Sequence, residues 1–183
     1  MAKRRVWGYI AFQIGWLSCA LGAGNGYPLV GPLVVLLLAS VHLFISTDRG
    51  REIRALLAIG AVGTLVDSLK AATGLVSYSG GYPGVTWLCP LWITAMWVNY
   101  ACALNTSLVW LKGRYLLAAV MGAIAGPVNY AAGSRAGAIV LPLDPVVTNA
   151  TLAAIWGAVV PLTVYVSNRP DGKDPALPAA EEA

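Results

Sequence analysis

Charge is scarce in this 183-residue chain. Asp, Glu, Lys and Arg together make up 11% of it, against roughly 25% in soluble domains. Histidine occurs once and phenylalanine twice. The three cysteines form no CxxC pair, and the lone His42 has no Cys, Asp or second His at ligand spacing, so no metal site is expected. His42 is read as packing near the inner end of a span. The patterns GxSxG and HExxH are missing, as is a glycine loop ending in GK[ST]. Motif-based grounds for a serine hydrolase, a metalloprotease or a nucleotide-driven enzyme therefore fall away, and no cofactor is expected. The net charge of +4 does not mark a nucleic-acid binder, because the cations form short clusters rather than a basic face interleaved with aromatics.

What the chain has in abundance is apolar sequence. Hydrophobic residues make up 58% and the mean hydropathy is +0.70. Several runs reach the ~20 residues that cross about 30 Å of hydrocarbon as helix. The fold class predicted is an all-α membrane protein, a bundle of about six transmembrane helices. The spans fall near 6–23, 28–46, 53–72, 85–111, 114–133 and 145–167, followed by a disordered tail over 168–183, rich in Pro, Ala and acidic residues. The start MAKRR-VWGYIAFQIGWLSC imitates a signal peptide. Trp7, Tyr9, Gln13 and Trp16 make a poor signal core, and the segment is read as a retained first span.

Orientation follows from the loop cations. With the N-terminus inside, the cytoplasmic segments hold Lys3, Arg4, Arg5, Arg49, Arg51, Arg54, Lys112, Arg114, Arg169 and Lys173. Only Lys70 and Arg135 fall outside. Both termini are thus expected in the cytoplasm. Trp87 and Trp110 bracket the fourth predicted span, and 1.5 Å per residue would set them about 35 Å apart, one at each interface. Within that span Trp92, Asn99, Cys102 and Thr106 share one side, which suits a helix buried among others. Cys19 and Cys89 fall near one membrane face, so a disulfide between them is open.

The fifth span is built from small residues, with Ala118, Gly122 and Gly126 at every fourth position so that backbones can approach closely. Pro127 interrupts it and removes the donor for the carbonyl of Ala123. Either the kink is tolerated, or freed backbone together with Asn129 and Tyr130 lines a cavity. Asp144 followed by Pro145 reads as an N-cap with proline at the first helical position. The packing glycines would suit a homo-oligomer as well as a contact within one chain.

The segment GTLVDSLKAATG (63–74) holds the informative charges. Asp67 lies inside the third span with Lys70 one turn further out, and an ionisable group at that depth costs a few kcal/mol. One reading is a helix-end pair that anchors depth, with Lys70 snorkelling to the interface. The other is a polar pocket toward the outer face. It would gather Asp67, Lys70, Trp92, Asn99, Asn129, Tyr130, Arg135 and Asn149, with Asp67 and Arg135 converging on one chamber.

The order of Asp67 in the third span, PLWITAMW (90–97) and GPVNYAAGSRAGA (126–138) resembles a family of small, six-span bacterial inner-membrane proteins of unknown function. The likeness covers most of the chain apart from the tail. It carries no activity across. It implies a multi-pass location in a bacterial inner membrane. Members of the family accompany enzymes that modify the fatty acyl chains of phospholipids, which implies a lipid-related role and a partner in lipid modification.

Three functions remain open: a protein that binds a membrane lipid or other amphipathic small molecule near the outer leaflet, a small-solute or proton-coupled transporter using Asp67, and an intramembrane enzyme with Asp67 as general base assisted by Tyr130 or Lys70. The predicted orientation has a direct check. A fluorescent protein fused after Ala183 should fold and fluoresce on the cytoplasmic side, and alkaline phosphatase inserted after Gly81 should be active on the other. The reverse pattern refutes the cation assignment.

Overall fold

The protein is described by a computed structural model covering residues 2–168, with side chains from Arg5 onward. The predicted tail beyond Asn168, and the side chains of Lys3, Arg4, Arg169 and Lys173, lie outside the described residues. Six helices follow one another: α1 (Ala2–Gly24), α2 (Val30–Ile45), α3 (Arg49–Ala72), α4 (Leu91–Leu104), α5 (Tyr115–Arg135) and α6 (Pro145–Asn168). A short 3₁₀ turn, Val109–Leu111, precedes α5. Two strands, β1 (Ser77–Tyr78) and β2 (Ile139–Val140), make an antiparallel ribbon in which Tyr78 pairs with Ile139. Helices α1, α3, α5 and α6 are long and apolar enough to cross a membrane, whereas α2 and α4 are apolar but shorter.

Helices α2 and α5 bury mainly small residues and expose large ones, as expected where the surrounding solvent is itself apolar. In α2 the inward stripe is Gly31, Val35, Ala39 and His42, while Leu33, Leu36, Leu37 and Phe44 point outward. A Cβ at Gly31 would sit 2.5 Å from the Cα of Cys19, so α1 and α2 touch backbone to backbone. The α5 stripe of Ala118, Gly122 and Gly126 is buried in the same way, facing Trp156 and Val160 of α6. Asp144 caps α6 through Oδ1, which accepts from the amides of Val146 (2.9 Å) and Val147 (3.2 Å).

Helix α4 is the centre of the bundle, packed on α1, α2 and α3 and buried on nearly every side. It departs from the predicted 85–111 span. Its 14 residues give about 21 Å of helix, and Trp87 and Trp110 both lie outside it, so they are not the two ends of one rod. Pro90 sets the start: its ring disfavours helical geometry in Cys89, and Pro90 itself is extended (ψ 159°). At the other end Asn105 leaves helical geometry and gives its side chain to a polar knot. Asn105 Nδ2 donates to Glu52 Oε2 (2.8 Å), which also bonds His42 Nε2 (2.9 Å). Asn105 Oδ1 accepts from Lys112 Nζ and from Ser167 Oγ, both at 2.7 Å. One amide thereby joins the ends of α3, α4 and α6, with α2 tied in through His42.

All three cysteines are free. Cys19 packs on Gly31 of α2, and the Cys89 thiol points toward the carbonyl of Thr64 in α3. The disulfide left open above is not formed, because each sulfur is committed to a different helix contact.

The close approach of α5 and α6 generates a paired prediction. At Gly122 a Cβ would overlap the Trp156 carbonyl and come within 2.9 Å of Val160 Cβ, whereas at Gly157 it would meet Ala123 Cβ at 3.5 Å. Gly122→Ala should cost about 1–3 kcal/mol through overpacking, and Gly157→Ala should stay within about 0.5 kcal/mol. Unfolding midpoints in mild detergent measure both, and equal effects would refute the packing.

Candidate functional site

One turn of α3 supplies the ionic core of the site. Asp67 and Lys70 are 1% and 2% exposed, and Lys70 Nζ lies 2.6 Å from Asp67 Oδ1. Their i,i+3 spacing puts both on the inward face of the helix. The pair does not reach the surface, so the snorkelling reading of Lys70 is replaced by an ion pair enclosed in the bundle.

Three other elements deliver donors to the carboxylate. The ribbon brings Tyr78, whose hydroxyl donates to Asp67 Oδ1 at 2.5 Å. Burial beside a carboxylate pushes the Tyr78 phenol above its ordinary pKa, which keeps it a proton donor. Helix α5 brings Tyr130, whose hydroxyl donates to the same oxygen and accepts from Lys70 Nζ. Helix α4 brings Trp97, whose Nε1 donates to Asp67 Oδ2 at 2.6 Å. A carboxylate offers about four acceptor positions; here Lys70, Tyr78 and Tyr130 converge on Oδ1 and Trp97 alone engages Oδ2. Lys70 also lies 4.5 Å from the Tyr130 ring centre and 5.4 Å from that of Trp156, a cation–π arrangement that further compensates the buried ammonium.

Glycine makes the arrangement sterically possible. Any Cβ at Gly63, one turn before Asp67, would collide with the Trp97 indole ring. The ring occupies that space and so reaches the carboxylate. Beyond it, the Trp97 and Trp156 indoles stack with centroids 5.0 Å apart and planes 3° from parallel. Gly126 makes room for Trp156, since a Cβ there would sit 2.5 Å from the ring.

Two members of the cluster, Asp67 and Tyr130, form part of the wall of a cavity of about 230 Å³. Helix α1 packs on α2 and α4, whereas α5 packs on α6, and the cavity occupies the gap left between α1 and α5. Phe12 and Trp16 line it from α1, Trp92, Met96 and Trp97 from α4, and Trp156 from α6. Met121, Ala125 and Asn129 of α5 line it too and are themselves exposed. The cavity therefore opens sideways, on the outer surface of the bundle. Asp67 and Tyr130 reach its wall.

The predicted site residues separate into two groups. Asp67, Lys70 and Tyr130 meet directly. Trp92 lines the cavity, with its Nε1 donating to the Ser79 carbonyl at 2.9 Å, and Asn129 stands at the opening, its Nδ2 donating to the Ala125 carbonyl. Asn99 instead straps α4 to α1, with Nδ2 donating to the Phe12 carbonyl at 2.9 Å. Asn149 is exposed near the start of α6. Arg135 is exposed and makes no ion pair among the described residues, so it does not converge with Asp67. The counter-ion is Lys70, which lies on the same helix and needs no long reach. Three members of the site were not predicted: Tyr78, Trp97 and Trp156. Trp97 ends the PLWITAMW segment, but nothing in its spacing marks it as the partner of Asp67.

Fold and site together define a helical, membrane-type bundle enclosing an ion pair beside a laterally open, aromatic-walled cavity. The chain belongs to the family described as protein of unknown function (DUF2878), which it matches over residues 5–162. No curated protein and no solved structure matches it.

The enclosed pair generates a second prediction. Breaking a buried ion pair leaves an uncompensated charge and costs about 3–5 kcal/mol, whereas removing both partners costs much less. Asp67→Asn and Lys70→Met should each destabilise by that amount, and the double variant should be more stable than either single one. Additive losses in detergent unfolding would show that the two charges do not compensate each other.

Proposed function

We propose that this protein binds a membrane lipid, or a similar amphipathic molecule, by admitting one of its chains through the opening between α1 and α5. The carrying observation is the chemistry of the cavity wall. It is apolar and aromatic along its length, polar where Asp67 and Tyr130 reach it, and it opens where Met121, Ala125 and Asn129 are exposed. A molecule approaching through hydrocarbon meets one polar side chain at the opening, Asn129, whose Nδ2 is already bonded to the Ala125 carbonyl. The volume of about 230 Å³ exceeds the roughly 150 Å³ that holds benzene and falls below the ~300 Å³ of small drug pockets. It suits a segment of one chain rather than a whole two-chain lipid.

The cation distribution supports six spans with both termini in the cytoplasm of a bacterial inner membrane. The cavity's polar end then lies toward the outer leaflet, because Asp67 is near the outer end of α3. A role beside enzymes that modify acyl chains fits a site that holds one chain. A second reading, intramembrane acid–base chemistry, is favoured by one feature. The Tyr130 hydroxyl bridges Lys70 and Asp67, so a proton on it has a donor on one side and an acceptor on the other, and Tyr130 also lines the cavity.

Extraction of the full chain in native lipid particles, followed by mass spectrometry, tests the binding reading. A tightly held lipid should accompany the wild type through washing, and Ala125→Trp, which fills the opening from an exposed position, should lose it at least fivefold. Equal retention by both proteins would refute the site. Conversion of the bound lipid by the wild type, abolished in Tyr130→Phe, would establish the catalytic reading instead.

A further inference from the structure

The cavity is long in one direction. On α5 its lining residues run from Met121 to Gly133, about 18 Å of helix at 1.5 Å per residue. On α1 they run from Phe12 to Ala20 and on α4 from Trp92 to Tyr100, about 12 Å each. The long axis therefore follows the helices. Met121, Ala125 and Asn129 stand one turn apart on α5, line the cavity and are exposed, so the opening is a slit along its length. An acyl chain can enter sideways, already extended. One leaflet of a ~30 Å hydrocarbon core is about 15 Å deep, so the cavity has the length of a single acyl chain.

The two ends of this slot differ. Toward the ribbon the wall includes Asp67, Tyr130 and Ile139. At the other end it includes Leu108 and Leu111, although both lie past the end of α4. The polypeptide leaves helical geometry at Asn105 and folds back as the 3₁₀ turn Val109–Leu111, packed against α4 and α5. Leu111 lines the cavity yet is only 3% exposed, so its remaining sides are enclosed by protein. The turn is also fastened. The Leu108 amide donates to the Ala103 carbonyl at 2.8 Å, the Arg114 amide to the Leu111 carbonyl at 2.9 Å, and Lys112 Nζ to Asn105 Oδ1 at 2.7 Å. We propose, resting on the lipid-binding reading above, that this turn gauges acyl-chain length: the occupant lies along the slot with its head group toward Asp67 and its terminal methyl toward Leu108 and Leu111, and a chain too long for that distance is excluded.

Leu108 and Leu111 are then the residues that set specificity, and the polar knot at Asn105 acquires a second task, holding the gauge at a fixed height. The slot sets no premium on hydrophobicity as such, because the acyl chain leaves one apolar medium for another. What discriminates is fit. A chain that overruns the turn must bend or crowd the leucines, and overpacking of that kind lowers occupancy by about fivefold or more. The measurement reconstitutes the full-length protein in phosphatidylcholine vesicles holding equal amounts of lauroyl, myristoyl, palmitoyl and stearoyl lipids. The protein is then extracted and washed, and the retained lipid is read by mass spectrometry. Chains up to palmitoyl should be enriched, and stearoyl depleted about fivefold relative to the vesicle.

Variants move the limit in both directions. Leu111→Ala deepens the slot by the volume of the lost side chain and should return stearoyl to the vesicle level. Leu108→Phe, at a half-buried position, should extend the depletion to palmitoyl. Leu152→Ala provides the structural control: Leu152 is fully buried in α6 but does not line the cavity, so its loss should weaken the bundle and leave the lipid profile unchanged. A wild-type profile equal to that of the vesicle overturns the gauge without any variant having to fold. A wild-type profile in folded Leu111→Ala, or an equal shift in Leu152→Ala, overturns it as well. Absence of any retained lipid in the wild type would instead remove the lipid-binding reading on which the gauge rests.

Discussion

An aspartate and a lysine held inside an apolar bundle impose the constraint from which most of this architecture follows. Neither charge has access to water, so each must be satisfied by the protein. Lys70 neutralises Asp67 from the next turn of α3, but one cation cannot occupy four acceptor positions. Helix α4 sends an indole and α5 a phenol, and the segment after α3 folds back to add a second phenol. The ribbon is best understood through this demand. Two residues per strand make a marginal sheet, yet its register places Tyr78 on Asp67. The adjoining Ser79 ties it down, with its amide donating to Ala138 O and its hydroxyl to Gly137 O, both at 2.9 Å. Gly137 has φ +76°, a left-handed geometry that glycine adopts without strain.

The opposite end of the bundle solves a comparable problem with a different outcome. There His42, Glu52, Asn105, Lys112 and Ser167 bond to one another, and none of them lines the cavity. That knot clamps helix ends. The Asp67 cluster also clamps helices, but two of its members reach the wall of an open cavity. With both ends tied, α1 remains on α2 and α4 while α5 remains on α6, and the gap between α1 and α5 is a product of those two allegiances. Gly24 of α1 still meets the turn after α5, where a Cβ would contact Ala138 N at 3.2 Å. The gap is therefore closed at that end by the turn after α5.

Which of these features could be read from the letters depended on how local they are. Asp67, Lys70 and Tyr130 stood out because a polar residue in an apolar run is conspicuous wherever its partner lies. The packing face of α5 was legible as a spacing of small residues, though not its partner α6, and the α6 cap was legible as Asp-Pro. Tyr78 was not legible: it sits in a loop without periodicity, and its place is fixed by a strand partner about sixty positions away. Trp97 and Trp156 read as ordinary apolar residues, since neither the indole hydrogen bond of Trp97 nor the stack between the two rings leaves a sequence pattern. Arg135 was misplaced because two charges at similar depth say nothing about direction around the helix axis. The fourth span was drawn too long because apolar composition continues through Pro90 and Asn105, although backbone geometry stops the helix at both.

The uneven filling of Asp67 bears on any chemistry assigned to the site. A general base needs a free lone pair, and here Lys70, Tyr78 and Tyr130 crowd Oδ1 while Oδ2 accepts only from Trp97. A ligand that engages Oδ1 must first displace one of its three donors. Trp97 is pinned by its stack with Trp156, Tyr78 by the ribbon, and Lys70 by its charge. Tyr130 is the donor that both lines the cavity and has an alternative partner in the Lys70 ammonium. Rotation of its hydroxyl toward a ligand would free one position on Asp67 while Lys70 held the phenol oxygen in place. Tyr130 is thus the side chain through which an occupant of the cavity would be felt by the ion pair, whether the protein only holds that occupant or goes on to alter it.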